Sequence, residues 1–172
     1  MKLMDIFDVI FLLVAGALYH LVFPGIPIAG GMKPDVSLAI LFILIILKKD
    51  FRLIILSAII LGVMTTMTSS LVDGAWINLV EKILTATLVY YFAKFINSKY
   101  NLEDTYPVLL ISSLGAVISA FIFIIMTYIF GVMPGPIPVL LQKIIIPSAI
   151  LNIGATYVLY VSFDYAYKAM ES

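Results

Sequence analysis

The chain has 172 residues, 63% of them hydrophobic and 12% charged, with ten Lys and Arg against ten Asp and Glu and a formal net charge of zero. Soluble globular proteins carry about 25% charged residues, so this composition, with a mean hydropathy of +1.18, belongs in lipid, and a neutral chain whose only tight basic cluster is Lys48-Lys49 is excluded from nucleic-acid binding. The absence of cysteine excludes disulfides, thiolate metal ligands and a cysteine nucleophile, and a single histidine argues against a metal site.

In chain order, the N-terminus MKLMDIFD is acidic where a cleavable signal needs a positive n-region, so the first apolar run is expected to be a retained helix, although Ala15-Gly16-Ala17 resembles a cleavage site. Six apolar segments follow one another at residues 9–23, 34–47, 53–70, 77–96, 108–130 and 138–163. Most are long enough to cross a bilayer, which takes about 20 residues. The connections are short, so the expected fold is an all-α integral membrane protein, with six transmembrane helices in one bundle and a single domain over residues 1–172. Lys2, Lys48, Lys49, Arg52, Lys94, Lys99 and Lys168 fall on one side of the bundle and Lys33, Lys82 and Lys143 on the other. The positive-inside rule then puts the N- and C-termini in the cytoplasm.

The second segment is short, about 21 Å at 1.5 Å per residue against a hydrocarbon core of about 30 Å. The preceding stretch PGIPIAGGM is expected to dip into the bundle and carry Lys33 and Asp35 below the headgroups, where irregular backbone survives only if it is enclosed by protein or lines a cavity. Pro34 suits a first helical turn, and Asp35 there meets the positive end of the helix dipole. The alternative is a tight turn at Gly30-Gly31, with Lys33 extending to lipid phosphates.

The same spacing of glycine and lysine recurs three times where an apolar run breaks: Gly25 to Lys33, Gly74 to Lys82 and Gly135 to Lys143. Asp35, Asp73 and Glu81 lie within or at the edges of the first two of these stretches, so one face carries both signs of charge, which is the requirement for holding a zwitterion. Glu81-Lys82 and Gln142-Lys143 sit about one turn inside apolar segments, where a charge costs about 2.5 to 3.5 kcal/mol at mid-depth and less near the ends. Neighbouring helical residues do not face each other, so Glu81 and Lys82 are each expected to need a partner from elsewhere, against the alternative of a purely structural pair. Pro147 removes the helical bond to the carbonyl of Lys143, kinks the last helix and frees an acceptor for a ligand ammonium. Asn152, deeper on that helix, is a hydrogen-bonding group for a heteroatom of a buried ring or for another helix. His20, near the outer end of the first helix, is assigned to the cavity wall.

Taken together, His20 before Gly31-Met32-Lys33-Pro34-Asp35, the hydroxyl run Thr65-Thr66-Met67-Thr68-Ser69-Ser70 leading to Ile77-Asn78 and Glu81-Lys82, and Pro147-Ser148-Ala149-Ile150-Leu151-Asn152 resemble the prokaryotic tryptophan transporter family. Its members are described as substrate-binding S components of energy-coupling factor (ECF) transporters. The resemblance implies a multi-pass protein of a prokaryotic cell membrane that captures tryptophan in an outward-facing cavity formed by the first, third and fifth loops. It also implies a separate transmembrane T component and two ATPases. No GxxxxGK[ST] phosphate loop occurs in the chain, which fits nucleotide energy arriving from another subunit.

For an indole amino acid, Lys33, Lys82 or Lys143 neutralises the carboxylate, and Asp35 or Glu81 with the carbonyl freed by Pro147 holds the ammonium. Trp76, Phe23, Met32 and Met133 are available to stack on the ring, and Asn78, Gln142 or Asn152 to accept from its N–H. Trp76 equally suits the headgroup belt. Small residues at Ala15, Gly16 and Ala17, and at Ala58 and Gly62, are candidate docking stripes for the T component, though such stripes more commonly pack helices within a bundle. The expected function is therefore a transporter component rather than an enzyme, with no cofactor. An S component for a vitamin or other small molecule, and a membrane assembly or channel protein, are the alternatives.

Overall fold

The computed structural model describes residues 36–69, 73–100, 105–133 and 135–171, together with Ile10, Val14 and Gly16, which are helical. All regular structure among the described residues is helical: α1 (Val36–Lys48), α2 (Phe51–Met67), α3 (Ile77–Asn97), α4 (Thr105–Ile129), a short α5 (Ile137–Leu140) and α6 (Ile146–Glu171). Between α5 and α6 the helix widens into a π-helical segment, Leu141–Ile145. The bounds of the expected first segment lie outside the described residues; those of the other five are met within a few residues, except that the last helix runs on to Glu171 because nothing after Phe163 breaks it.

The short second segment does not face lipid at all. In α1 every residue from Leu38 to Ile46 is no more than 3% exposed. A helix that is apolar all round is stable only when enclosed, and here α2, α3, α4 and α6 all pack against it. Its 13 residues make a rod of about 20 Å. Around this axis the chain meanders, α2 against α3, α3 against α4 and α4 against α6.

Local chemistry sets several of the ends. Lys49 takes a positive φ of 52° in the tight link between α1 and α2, and Asp50 caps α2 by accepting from the Arg52 N–H at 3.0 Å. Beyond α4, Gly131 has φ 67°, a left-handed conformation that glycine adopts without strain. Two close approaches depend on missing side chains. A Cβ on Gly62 of α2 would lie 2.8 Å from the Leu79 Cα, and one on Gly115 of α4 would lie 2.5 Å from Cζ of Phe42 in α1.

The outer surface carries apolar stripes. Leu84, Leu88, Tyr91 and Phe95 form an uncovered stripe on α3, as do Val117, Phe121, Ile125 and Tyr128 on α4 and Leu56, Ile60, Val63 and Met67 on α2. These are helical repeats of three and four residues, so each helix turns one apolar face outward. The polar side chains Ser57, Thr65, Glu81, Lys82, Thr85, Ser119, Thr127, Asn152 and Thr156 lie inside. Among the described residues one helix, Tyr106–Ile129, is long and apolar enough to cross a membrane, and Val36–Lys48 and Phe51–Met67 are shorter apolar helices.

Candidate functional site

The buried charges sit in the first turns of α3. Glu81 is 2% exposed and Lys82 is 1% exposed. The Lys82 Nζ donates to Glu81 Oε2 at 2.6 Å. Glu81 Oε1 accepts from Thr85 Oγ1, one turn on, at 2.8 Å and from Ser119 Oγ of α4 at 2.5 Å. Both carboxylate oxygens are thus engaged by donors, as a charge away from water requires. The expected partner from elsewhere is present for Glu81, which Ser119 reaches from α4, and the two neighbouring side chains are in addition long enough to bend toward each other above the helix surface. Ser119 supplies the tie between helices, and sequence reasoning missed it.

Above this cluster the turn before α3 is held by the hydroxyl run. Thr66 Oγ1 donates to the Ala75 carbonyl at 3.1 Å. The Asn78 amide nitrogen donates to Ser69 Oγ at 3.1 Å and to the Ala75 carbonyl at 3.0 Å. Asn78 therefore fastens the glycine-containing turn to the end of α2. Trp76 is 41% exposed and meets the Phe130 ring at the end of α4, edge to face, with centroids 4.6 Å apart. This contact and the Glu81–Ser119 bond put the start of α3 and the end of α4 at one end of the bundle. Asp73 is exposed there.

On the last helical stretch the main chain adapts before Pro147. The Ile146 N–H donates to the Leu141 carbonyl, one residue beyond the α-helical partner. A single wide turn of this kind is a frequent response to a residue that cannot hold its place in the α ladder. Lys143 lies within it. Asn152, one to two turns further, is 3% exposed, and its Oδ1 is the buried side-chain atom without a hydrogen-bond partner among the described residues. Gln142 is exposed and Met133 half-buried.

The docking stripe on α2 is used internally. Ala58 is fully buried and the Gly62 face rests on Leu79 of α3. Gly16 packs on Ile40 of α1 and Leu61 of α2, since a Cβ there would lie 2.7 Å from Ile40 Cδ1 and 3.7 Å from Leu61 Cδ2. At these three positions close approach of neighbouring helices, the commoner use of such stripes, is what the structure contains. Ala15, Ala17, His20, Lys33 and Asp35, with Phe23 and Met32, lie outside the described residues, as does the side chain of Lys143.

The arrangement provides a charged, hydrogen-bonded cluster inside a bundle that is apolar outside, with an aromatic edge at the same end. Such interior charges in membrane proteins mark ligand and ion paths by default. A protein from Clostridium perfringens named probable tryptophan transport protein is 30% identical over 158 residues, 87% of this chain and 85% of its own. Proteins of the same name from Clostridium acetobutylicum and Bacillus subtilis are 28% identical over 136 residues and 26% identical over 145, covering 79% and 84% of this chain and 78% and 81% of theirs. No solved structure matches the chain. A family model described as "Tryptophan transporter TrpP" matches residues 2–168, and the chain belongs to that family of transporters.

Proposed function

We propose that this protein is the substrate-binding S component of an ECF-type importer and that its substrate is tryptophan. The observation that carries the reading is the family match over residues 2–168, supported by relatives that are each named for tryptophan transport. In this reading the chain is one domain in a prokaryotic cell membrane, crossing it six times with both termini in the cytoplasm. The end of the bundle that holds Trp76 and Glu81-Lys82 faces outward.

The physics of the interior supports a dipolar guest. Desolvating two charges costs several kcal/mol per ion, and a hydrophobic pair of similar volume is often as stable or more so. A buried Glu81–Lys82 pair is therefore better explained by what it binds than by what it stabilises. Lys82, with Lys33 or Lys143, meets the carboxylate of the amino acid, and Asp35 or Glu81 meets its ammonium. Trp76, beside Phe130, offers an aromatic edge for the ring. Occupancy orders the loops above the cavity, and a T component with two ATPases then drives release inward.

Titration calorimetry on the purified protein in detergent tests the reading. Tryptophan at micromolar concentration is expected to give saturable binding, while phenylalanine, a vitamin panel and indole alone give less. No heat with tryptophan, together with binding of another ligand, would overturn it. Retention of the chain on tagged ATPase subunits, after expression with the T component, tests the ECF assignment separately.

A further inference from the structure

The buried polar side chains of the bundle divide into two kinds. Most hydroxyls bond back to their own helix: Ser57 to the Leu53 carbonyl, Thr65 to Leu61, Thr127 to Phe123 and Thr156 to Asn152, at 2.7 to 3.0 Å. Thr85 and Ser119 serve Glu81. Asn152 fits neither group. Its main-chain carbonyl accepts from Thr156, but its side-chain Oδ1 is buried and accepts from nothing among the described residues.

A buried amide in a helical bundle normally earns its place by bonding to another helix. Among the described residues the helices packed most extensively on α6 are α1 and α4. Between Leu38 and Ile46, α1 has no polar side chain, and on α4 Ser112, Ser119 and Thr127 are already committed to other acceptors. Asn152 shares its face of α6 with Thr156 and Tyr160, four and eight residues on and both buried, so it is turned inward. The orphaned acceptor therefore asks for a donor that the described helices do not provide.

We infer that Asn152 is a specificity-determining residue of the substrate site, its Oδ1 accepting a hydrogen bond from the ring N–H of the bound molecule. The inference rests on the reading of this protein as a tryptophan binder and extends it to how the ring is told from others. An indole nitrogen is a donor only, so it complements an amide oxygen. A site built around such a bond rejects isosteres without the donor far more strongly than apolar contact alone can. The ligand class selected is an aromatic amino acid with an N–H on its ring.

The test compares L-tryptophan with L-3-benzothienylalanine, in which sulfur replaces the ring N–H at nearly constant shape, by calorimetry on the full-length protein and on Asn152→Leu and Asn152→Ala. Wild type is expected to prefer tryptophan by about tenfold or more, and both variants to bring the two ligands within about twofold of each other. The ratio of affinities decides, so a general loss of affinity in one variant does not, and either variant suffices if the other does not fold. A preference that persists in the variants, or equal binding of both ligands by wild type, overturns the role of Asn152 and leaves tryptophan binding intact. Failure of wild type to bind tryptophan at all overturns both.

Discussion

Replacing Lys82 with methionine removes one charge of a pair that is almost fully enclosed, with side chains 2% and 3% exposed. At the observed 2.6 Å and an effective dielectric of about 20, the Coulomb attraction alone is about 6 kcal/mol. Desolvation cancels much of that in the intact pair, but in Lys82→Met the carboxylate keeps its burial and loses its counter-charge. Thr85 and Ser119 still donate to it, so the net cost is expected at about 3–5 kcal/mol. Adding Glu81→Gln removes the stranded charge and keeps an acceptor for both hydroxyls, and the double variant is expected to recover at least half of the loss. Reversible denaturation in mixed micelles, followed by far-ultraviolet circular dichroism, measures both. A single substitution costing under about 1 kcal/mol, or a double variant no better than the single, would refute the account of the cluster.

Ser119→Ala deletes one charge-assisted bond to Glu81 and is expected to cost about 1.5–3 kcal/mol in the same denaturation assay. Gly115→Ala forces the Phe42 ring aside and is expected to destabilise by about 1–3 kcal/mol, and Phe42→Leu in the same chain is expected to restore most of it because it clears that volume. Trp76 is the single tryptophan of the chain, so Phe130→Ala, which removes its edge contact, is expected to shift its emission toward that of a solvent-exposed indole. In Trp76→Phe, any tryptophan emission comes from ligand, and a blue shift of free L-tryptophan on addition of this variant is the expected sign of burial in the cavity.

Helix positions were legible because apolar runs bounded by charge and glycine are the strongest signal a membrane chain carries, and α2, α3 and α4 begin and end within a few residues of those breaks. The presence of Glu81 and Lys82 inside an apolar run also pointed correctly to a polar interior. Their direct bond was not legible, since helical geometry separates adjacent Cβ atoms and only side-chain length brings the charged ends together. Ser119 was invisible for another reason. It lies 38 residues from Glu81, and nothing in the letters distinguishes it from Ser112 and Ser113, which bond back to Leu109. The stripe at Ala58 and Gly62 carried the right physics, close approach of helices, but the neighbour it approaches is Leu79 of α3. The shortness of the second segment was legible and is met by the 13 residues of α1, but its enclosure was not, since an unbroken apolar run suits lipid and a protein interior equally.

The wide turn at Leu141–Ile145 has a consequence for the azimuth of everything after it. Leu140 and Asn152 are both buried at 3%, yet twelve steps of about 100° would leave them about 120° apart on a continuous α-helix. One residue looped out of the ladder reduces the count to eleven, and the two positions come within about 20° of the same meridian. A chain shortened by one residue in this stretch therefore keeps the orientation of Asn152 unchanged, whereas regularising the turn at full length, as Pro147→Ala invites, swings one flank outward by about 100°.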